Sequence, residues 1–196
     1  MSYTHYHTEA LVIALENQGE GNRVITLLTK DYGVIRALAQ SVRETRSKQR
    51  FGLQLFSYSE VTLILGREYW RLAGVSPITN YGLSLADQSH VYGLLSRAGK
   101  LVTRLVQGEE SNPELFDEFK NACNFLNAQS LDDEATQYFE TLFIVRILSH
   151  LGYWADQKEM PWLVDADLSQ EILLQTADNQ RNLIERINTS LRETQL

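Results

Sequence analysis

HTEALVIALENQGEGNRVITLLTKDYGVIRALA, residues 7–39, is the stretch on which the fold turns. His7–Leu15 is a mostly apolar run that ends in the polar, glycine-rich turn Asn17-Gln18-Gly19-Glu20-Gly21. Arg23–Thr29 follows, with Val24, Ile25, Leu27 and Leu28 too uniformly apolar for clean alternation. Lys30-Asp31-Tyr32-Gly33 then makes a tight connection to Val34–Ala39. Short apolar runs separated by glycine and polar turn residues are strands. Working outward, Phe56–Leu65 alternates, with Phe56, Tyr58, Thr62 and Ile64 on one side and Val61, Leu63 and Leu65 on the other. Gly66-Arg67 turns the chain into Glu68–Ala73. Five strands of this length in about 70 residues suit a small closed barrel better than an open sheet.

Beyond Pro77–Tyr81 the period of the apolar residues changes. Val91, Leu94, Leu95, Ala98, Leu101, Val102 and Leu105 recur at steps of three and four, which predicts an amphipathic helix between Ala86 and Val106. Glu109-Glu110-Ser111-Asn112-Pro113-Glu114 supplies a cap, a first-turn proline and acidic residues at the positive end of the next helix dipole. That helix carries Leu115, Phe116, Phe119, Ala122, Cys123 and Leu126. Asp132-Asp133-Glu134 opens another, whose apolar residues from Phe139 to Leu151 wrap most of the circumference; it is expected to be the buried central helix, ended by Gly152. Leu168–Leu174 and Leu183–Leu191 read as two shorter helices. The expected architecture is mixed, β then α: an N-terminal five-stranded barrel, residues 1–78, followed by a C-terminal α-helical bundle, residues 79–196.

The 196 residues are 43% apolar and 22% charged, enough to bury a core. Eighteen Lys and Arg stand against 25 Asp and Glu, a net charge of −7. The charge is unevenly spread. Residues 1–80 carry nine basic and seven acidic groups, whereas residues 81–196 carry nine basic and 18 acidic, which suggests two halves with different tasks. No stretch approaches the roughly 18 apolar residues of a membrane helix, and MSYTHYHTEALVIAL lacks the basic start and cleavage site of a signal peptide. A cytoplasmic protein without membrane association is expected. The single cysteine, Cys123, excludes an internal disulfide and a cysteine-based zinc site.

Enzyme signatures are absent. Gly19-Glu20-Gly21 lacks the third glycine and following helix of a dinucleotide site, and there is no phosphate-binding loop of the Walker type. His5 and His7 have no acidic or cysteine partner at a defined spacing, and His90 and His150 are isolated. The paired carboxylates Glu109/Glu110 and Asp132/Asp133 sit at helix starts, where the dipole accounts for them. No catalytic residue, metal or cofactor is expected, and the chain reads as a binding protein.

Two features can bind something. Arg36–Arg50 holds Arg36, Arg43, Arg46, Lys48 and Arg50 against one acid, Glu44. Several cations on a loop beside a barrel are what phosphate neutralisation needs, and the rings nearby include Tyr32, Phe51, Phe56, Tyr58, Tyr69 and Trp70. Phe51, Phe56 and Trp70 are expected to fill the barrel, which leaves Tyr58 and Tyr69 at the surface for stacking on bases. The alternative is a merely solvated loop. In the acidic half, Arg97, Lys100 and Arg104 form a stripe beside an apolar helix face. Such a stripe suits an acidic peptide with an apolar terminus, or else it is a solvated helix face.

The ordered set Glu9-Ala10-Leu11-Val12, Gly19-Glu20-Gly21-Asn22-Arg23-Val24-Ile25-Thr26-Leu27-Leu28-Thr29 and Tyr32-Gly33-Val34-Ile35-Arg36-Ala37-Leu38-Ala39 resembles the RecO family of DNA repair proteins. Gln54-Leu55-Phe56, Trp70-Arg71-Leu72 and the helix end Val145-Arg146-Ile147-Leu148-Ser149-His150-Leu151-Gly152-Tyr153 carry the resemblance further. It covers most of the chain, most closely residues 8–75. The resemblance implies an OB-fold and a helical C-terminal domain. It implies a recombination mediator that binds single- and double-stranded DNA and anneals complementary strands. With RecR, such a mediator helps load RecA onto strands covered by single-stranded DNA-binding protein. The family's cationic barrel surface maps onto Arg36, Arg43, Arg46, Lys48 and Arg50. Its recognition of the acidic, apolar-ended C-terminal tail of the single-stranded DNA-binding protein maps onto Arg97, Lys100 and Arg104. Many members carry a four-cysteine zinc module after the Leu-Gly-Tyr helix; Trp154–Trp162 has no cysteine, so a zinc-free member is expected. The rival expectation is a non-catalytic interaction adaptor in which DNA contact is vestigial, a reading that the net acidity favours.

Overall fold

The structure, a computed structural model, describes residues 4–42, 51–106, 108–154 and 160–194. Five strands come first: β1 (Tyr6–Gln18), β2 (Asn22–Thr29), β3 (Gly33–Ala39), β4 (Ser57–Ile64) and β5 (Trp70–Asn80), with a 3₁₀ turn at Phe51–Leu53 before β4. They close into a barrel in the order β1-β2-β3-β5-β4. The β3/β5 pair is parallel, with Ala37 beside Trp70 and Leu38 beside Arg71, and the other pairs are antiparallel. This is the five-stranded OB-fold.

Side-chain parity builds the interior. Ala10, Val12, Ile25, Leu27, Ile35, Ala37, Val61, Leu63 and Trp70 point inward and pack into one cluster. Tyr6, Tyr32 and Trp70 close part of it, with the Tyr6 ring edge-on to Trp70 at 5.1 Å and to Tyr32 at 5.8 Å. Uniform apolarity in β2 has a plain cause, since every residue from Val24 to Thr29 is buried and both faces of that strand are covered. In β4 only one parity is inside: Ser57, Ser59, Val61 and Leu63.

Two local readings of the sequence need correction. The last strand outruns the expected Glu68–Ala73, and Pro77 does not interrupt it. β5 runs through it to Asn80 because the ladder shifts register there, Tyr58 pairing Thr79 and Ser59 pairing Pro77, so the proline sits at a bulge. Phe51 does not fill the barrel and is 49% exposed, whereas Phe56 and Trp70 are buried as expected. At the 3₁₀ turn it is the Phe51 carbonyl that is used, accepting from Ser57 Oγ and Asn80 Nδ2.

The chain divides into two compact units, residues 1–87 with 107–120, and residues 88–106 with 121–196. The barrel unit thus takes in a short helix, α1 (Tyr81–Ser84), and a segment from the acidic half. Glu109 Oε1 accepts from Trp70 Nε1 at 2.9 Å, and Ser111 Oγ donates to the Lys30 carbonyl at 3.1 Å. Gly33 has φ +64°, and a Cβ there would stand 2.2 Å from the Glu110 carbonyl oxygen, so the segment lies directly against that turn.

The helical unit holds α2 (Ser89–Leu105), the second half of α3 (Pro113–Ala128), α4 (Asp133–His150), α5 (Trp162–Asp165) and α6 (Gln170–Glu193). Buried residues on α4 run all round its circumference, from Thr136 and Phe139 to Ile147 and Leu148, as the sequence predicts for the central helix. Asp132 caps it, accepting from Ala135 N at 2.8 Å. At its other end Gly152, φ +76°, makes a Schellman turn: Tyr153 N donates to Leu148 O and Gly152 N to Ser149 O. The two short helices expected near the C-terminus are one helix, α6. The polar stretch Gln175–Arg181 contains no breaker, and buried Thr176 donates to the Ile172 carbonyl, so the helix propagates through it.

Candidate nucleic-acid interface and peptide groove

Trp70 faces the barrel interior, so its neighbours Tyr69 and Arg71 face outward, on the side of β5 next to β3. Arg36 of β3 is exposed on the same side, and its guanidinium lies 5.1 Å from the centre of the Tyr69 ring. It also donates to Glu16 at 2.7 Å, with 47% and 61% of the two side chains exposed. An ion pair this open is worth about 0–1 kcal/mol, so an incoming phosphate competes with it readily. Arg71 is not among the cations that the sequence pattern singles out. The parity of Tyr69-Trp70-Arg71, read with Trp70 as core, is the signal that finds it.

Arg43, Arg46, Lys48 and Arg50 lie outside the described residues. Of the described residues that flank them in sequence, Val42 is 1% exposed, and Gly52 and Leu53 are buried. Asn80 Nδ2 bonds both the Phe51 carbonyl and Gln54 Oε1, tying the returning chain to the end of β5.

Tyr58 has neighbours on its ring and hydroxyl. The hydroxyl donates to the Glu9 carboxylate, and Lys120 Nζ lies 5.7 Å from the ring centre. Burial, followed by the Glu9 bond, pushes its phenol well above the ordinary tyrosine range. Both expected stacking rings are partly buried, and each has a cation near its face. Cys123 is wholly buried, and burial raises its thiol, which makes it a small apolar core residue rather than a nucleophile. Among the described residues no group of three His, Cys, Asp or Glu is placed to hold a metal ion.

The structure brings Arg97, Lys100 and Arg104 together along one groove of about 350 Å³, completed by Leu101, Glu140, Ile144 and Leu191. Arg97 meets Glu140 in a bidentate fork, Nε to Oε1 at 2.5 Å and Nη2 to Oε2 at 2.7 Å. Lys100 and Arg104 are exposed and form no ion pair with any described residue. The floor is apolar and the rim cationic, a combination that holds a carboxylate beside an apolar side chain. Glu140 and Leu191 come from α4 and α6, far from the stripe in sequence, and no local pattern announces them.

The barrel and helices define a class, an OB-fold protein with a helical companion unit and basic groups on the surface of both. Residues 1–81 match the family model described as recombination protein O N terminal, and residues 87–159 match recombination protein O C terminal. The chain belongs to the recombination protein O family. Similar proteins include the DNA repair protein RecO of Desulfitobacterium hafniense, 31% identical over 148 residues, 76% of this chain and 52% of that one. The protein of the same name from Dehalococcoides mccartyi is 29% identical over 154 residues, 79% of this chain and 59% of the relative. That from Bifidobacterium longum subsp. infantis is 29% identical over 150 residues, 76% of this chain and 61% of its own length. The chain thus spans about half to three fifths of the length of these relatives. No helix among the described residues is long and apolar enough to cross a membrane.

Proposed function

We propose that this protein is a non-catalytic, DNA-binding recombination mediator of the bacterial cytoplasm, acting at the nucleoid in recombinational repair. Its barrel domain captures DNA phosphates through Arg36 and the loop cations Arg43, Arg46, Lys48 and Arg50, with Arg71 alongside. Tyr69 stacks on a base, and Tyr58 does so once its protein neighbours give way. The grip is electrostatic and reads no sequence, so single- and double-stranded DNA both bind, and complementary strands held on one surface find each other. Its helical domain docks the acidic, apolar-ended tail of single-stranded DNA-binding protein at Arg97, Lys100 and Arg104. Together with RecR it then helps load RecA onto the covered strand.

The observation that carries this reading is the outward Arg36–Tyr69 stack on an OB-fold barrel in a chain of this family. With roughly three to five phosphate contacts, log affinity for a single-stranded oligonucleotide should fall against log salt with a slope of about −2 to −3.5. Fluorescence anisotropy at several salt concentrations reads the slope directly. Charge reversal at Arg43, Arg46 and Arg50 should abolish oligonucleotide binding while the protein stays folded. A slope near zero for the unaltered protein removes the electrostatic grip.

The net charge of −7 favours a second reading, an interaction adaptor with vestigial DNA contact. Unchanged recruitment to repair complexes by the charge-reversed protein supports that one.

A further inference from the structure

The fork between Arg97 and Glu140 bears on the peptide groove in a way the basic stripe alone does not reveal. An internal carboxylate already sits where a ligand carboxylate would bind. Its geometry is that of strong carboxylate recognition, two near-parallel bonds of 2.5 and 2.7 Å. Glu140 is the more covered partner, its side chain 21% exposed against 59% for Arg97. The fork raises the Arg97 guanidinium further above its ordinary range. Glu140 also lines a second groove, between α4 and α6, with Thr141, Ile144, Ile184, Ile187 and Leu191. It therefore stands on the divide between the two grooves, with Ile144 one turn further along α4.

We propose that Glu140 is a selectivity gate: it occupies the Arg97 fork and leaves a groove with two available cations, Lys100 and Arg104, beside the apolar patch of Leu101, Ile144 and Leu191. The proposal rests on the reading of this groove as a site for an acidic, apolar-ended peptide. A peptide with one or two carboxylates next to its apolar terminus satisfies Lys100 and Arg104 without disturbing the fork. A third carboxylate must compete with Glu140 for Arg97, and the displaced Glu140 then faces the acidic ligand, a like-charge contact that opposes binding. The gate thus limits how much an added acid improves affinity. One wall of the groove, Leu191 on α6, lies outside the residues matched by the family models.

The test uses fluorescein-labelled peptides of fixed length ending in C-terminally amidated Leu and carrying one, two or three Asp before it, so that they present one, two or three carboxylates, titrated against the full chain by anisotropy. Glu140→Gln keeps shape and volume but removes the charge. It should bind the three-Asp peptide about 5–10-fold more tightly than the unaltered protein and tighten the one-Asp peptide by a clearly smaller factor. Arg97→Gln should move the other way, weakening the three-Asp peptide, so a folding defect in one variant does not decide the question. Lys100→Glu with Arg104→Glu should abolish binding of all three peptides. If that double variant abolishes binding but Glu140→Gln leaves the three-Asp peptide unchanged, the gate is overturned and the groove reading stands. If no peptide binds any form of the protein, the groove reading falls and the gate with it.

Discussion

Arg146 shows how much a single residue holds. It is 3% exposed, yet it is a cation on the most buried helix. Its Nε donates to the Leu163 carbonyl at 2.8 Å and its Nη2 to the Ala166 carbonyl, so it bolts α5 and the chain after it to α4. Replacing it with Met keeps the apolar stem but leaves two carbonyl groups without their charged donor. The expected loss is about 3 kcal/mol, measured as a lower midpoint in denaturant. From the sequence Arg146 is legible only as part of a helix end resembling that of a family; which carbonyls it serves is decided 17 and 20 residues away. Phe51 makes the same point in reverse. Aromatic character alone cannot say whether a ring at the start of a turn points in or out, and here the backbone carbonyl is what the fold uses.

At the scale of elements, strands and helices follow from period, and their ends from punctuation. The strands at residues 22–29 and 33–39 fall within a residue of the apolar runs, and Gly152 ends α4 through the turn its positive φ allows. Where polar residues hide continuity, as in α6, or a bulge excuses a proline, as in β5, local pattern misleads. Gly33 joins the element to its surroundings. Substituting Ala there meets both a left-handed backbone and the Glu110 carbonyl, so the β2–β3 turn and the segment from 108 onward must separate or shift. Left-handed strain alone costs about 1–2 kcal/mol, and the clash adds to it. Gly33→Ala should therefore lower stability by about 2 kcal/mol or more, with faster amide exchange at Leu115 and Phe116 than in the unaltered protein.

At the scale of the whole molecule, the barrel unit is not a continuous piece of chain. Glu109 reaches the Trp70 indole, Ser111 the Lys30 carbonyl, and Lys120 lies 3.8 Å from Glu9. A fragment ending at residue 81 keeps every strand but loses these partners and the Phe116 ring, 6.3 Å from that of Tyr58. It should melt at a lower temperature than a fragment ending at residue 120, and thermal denaturation followed by circular dichroism compares the two. If both melt alike, the segment 107–120 contributes nothing to the barrel. The charge imbalance read from composition is also reshaped at this scale, because part of the acidic half belongs to the barrel unit.

The number of strands, the change from barrel to helices, the central helix and its glycine stop, and the basic stripe Arg97–Lys100–Arg104 were determined by the order of residues alone, since each is written in a local period or a turn signal. The pairing of Arg36 with Glu16, Trp70 with Glu109 and Arg97 with Glu140 was decided only by the tertiary structure. These partners lie 20, 39 and 43 residues apart, and no local rule brings them together. Side chains so distant in sequence meet only because strand order, register and helix packing place their faces side by side.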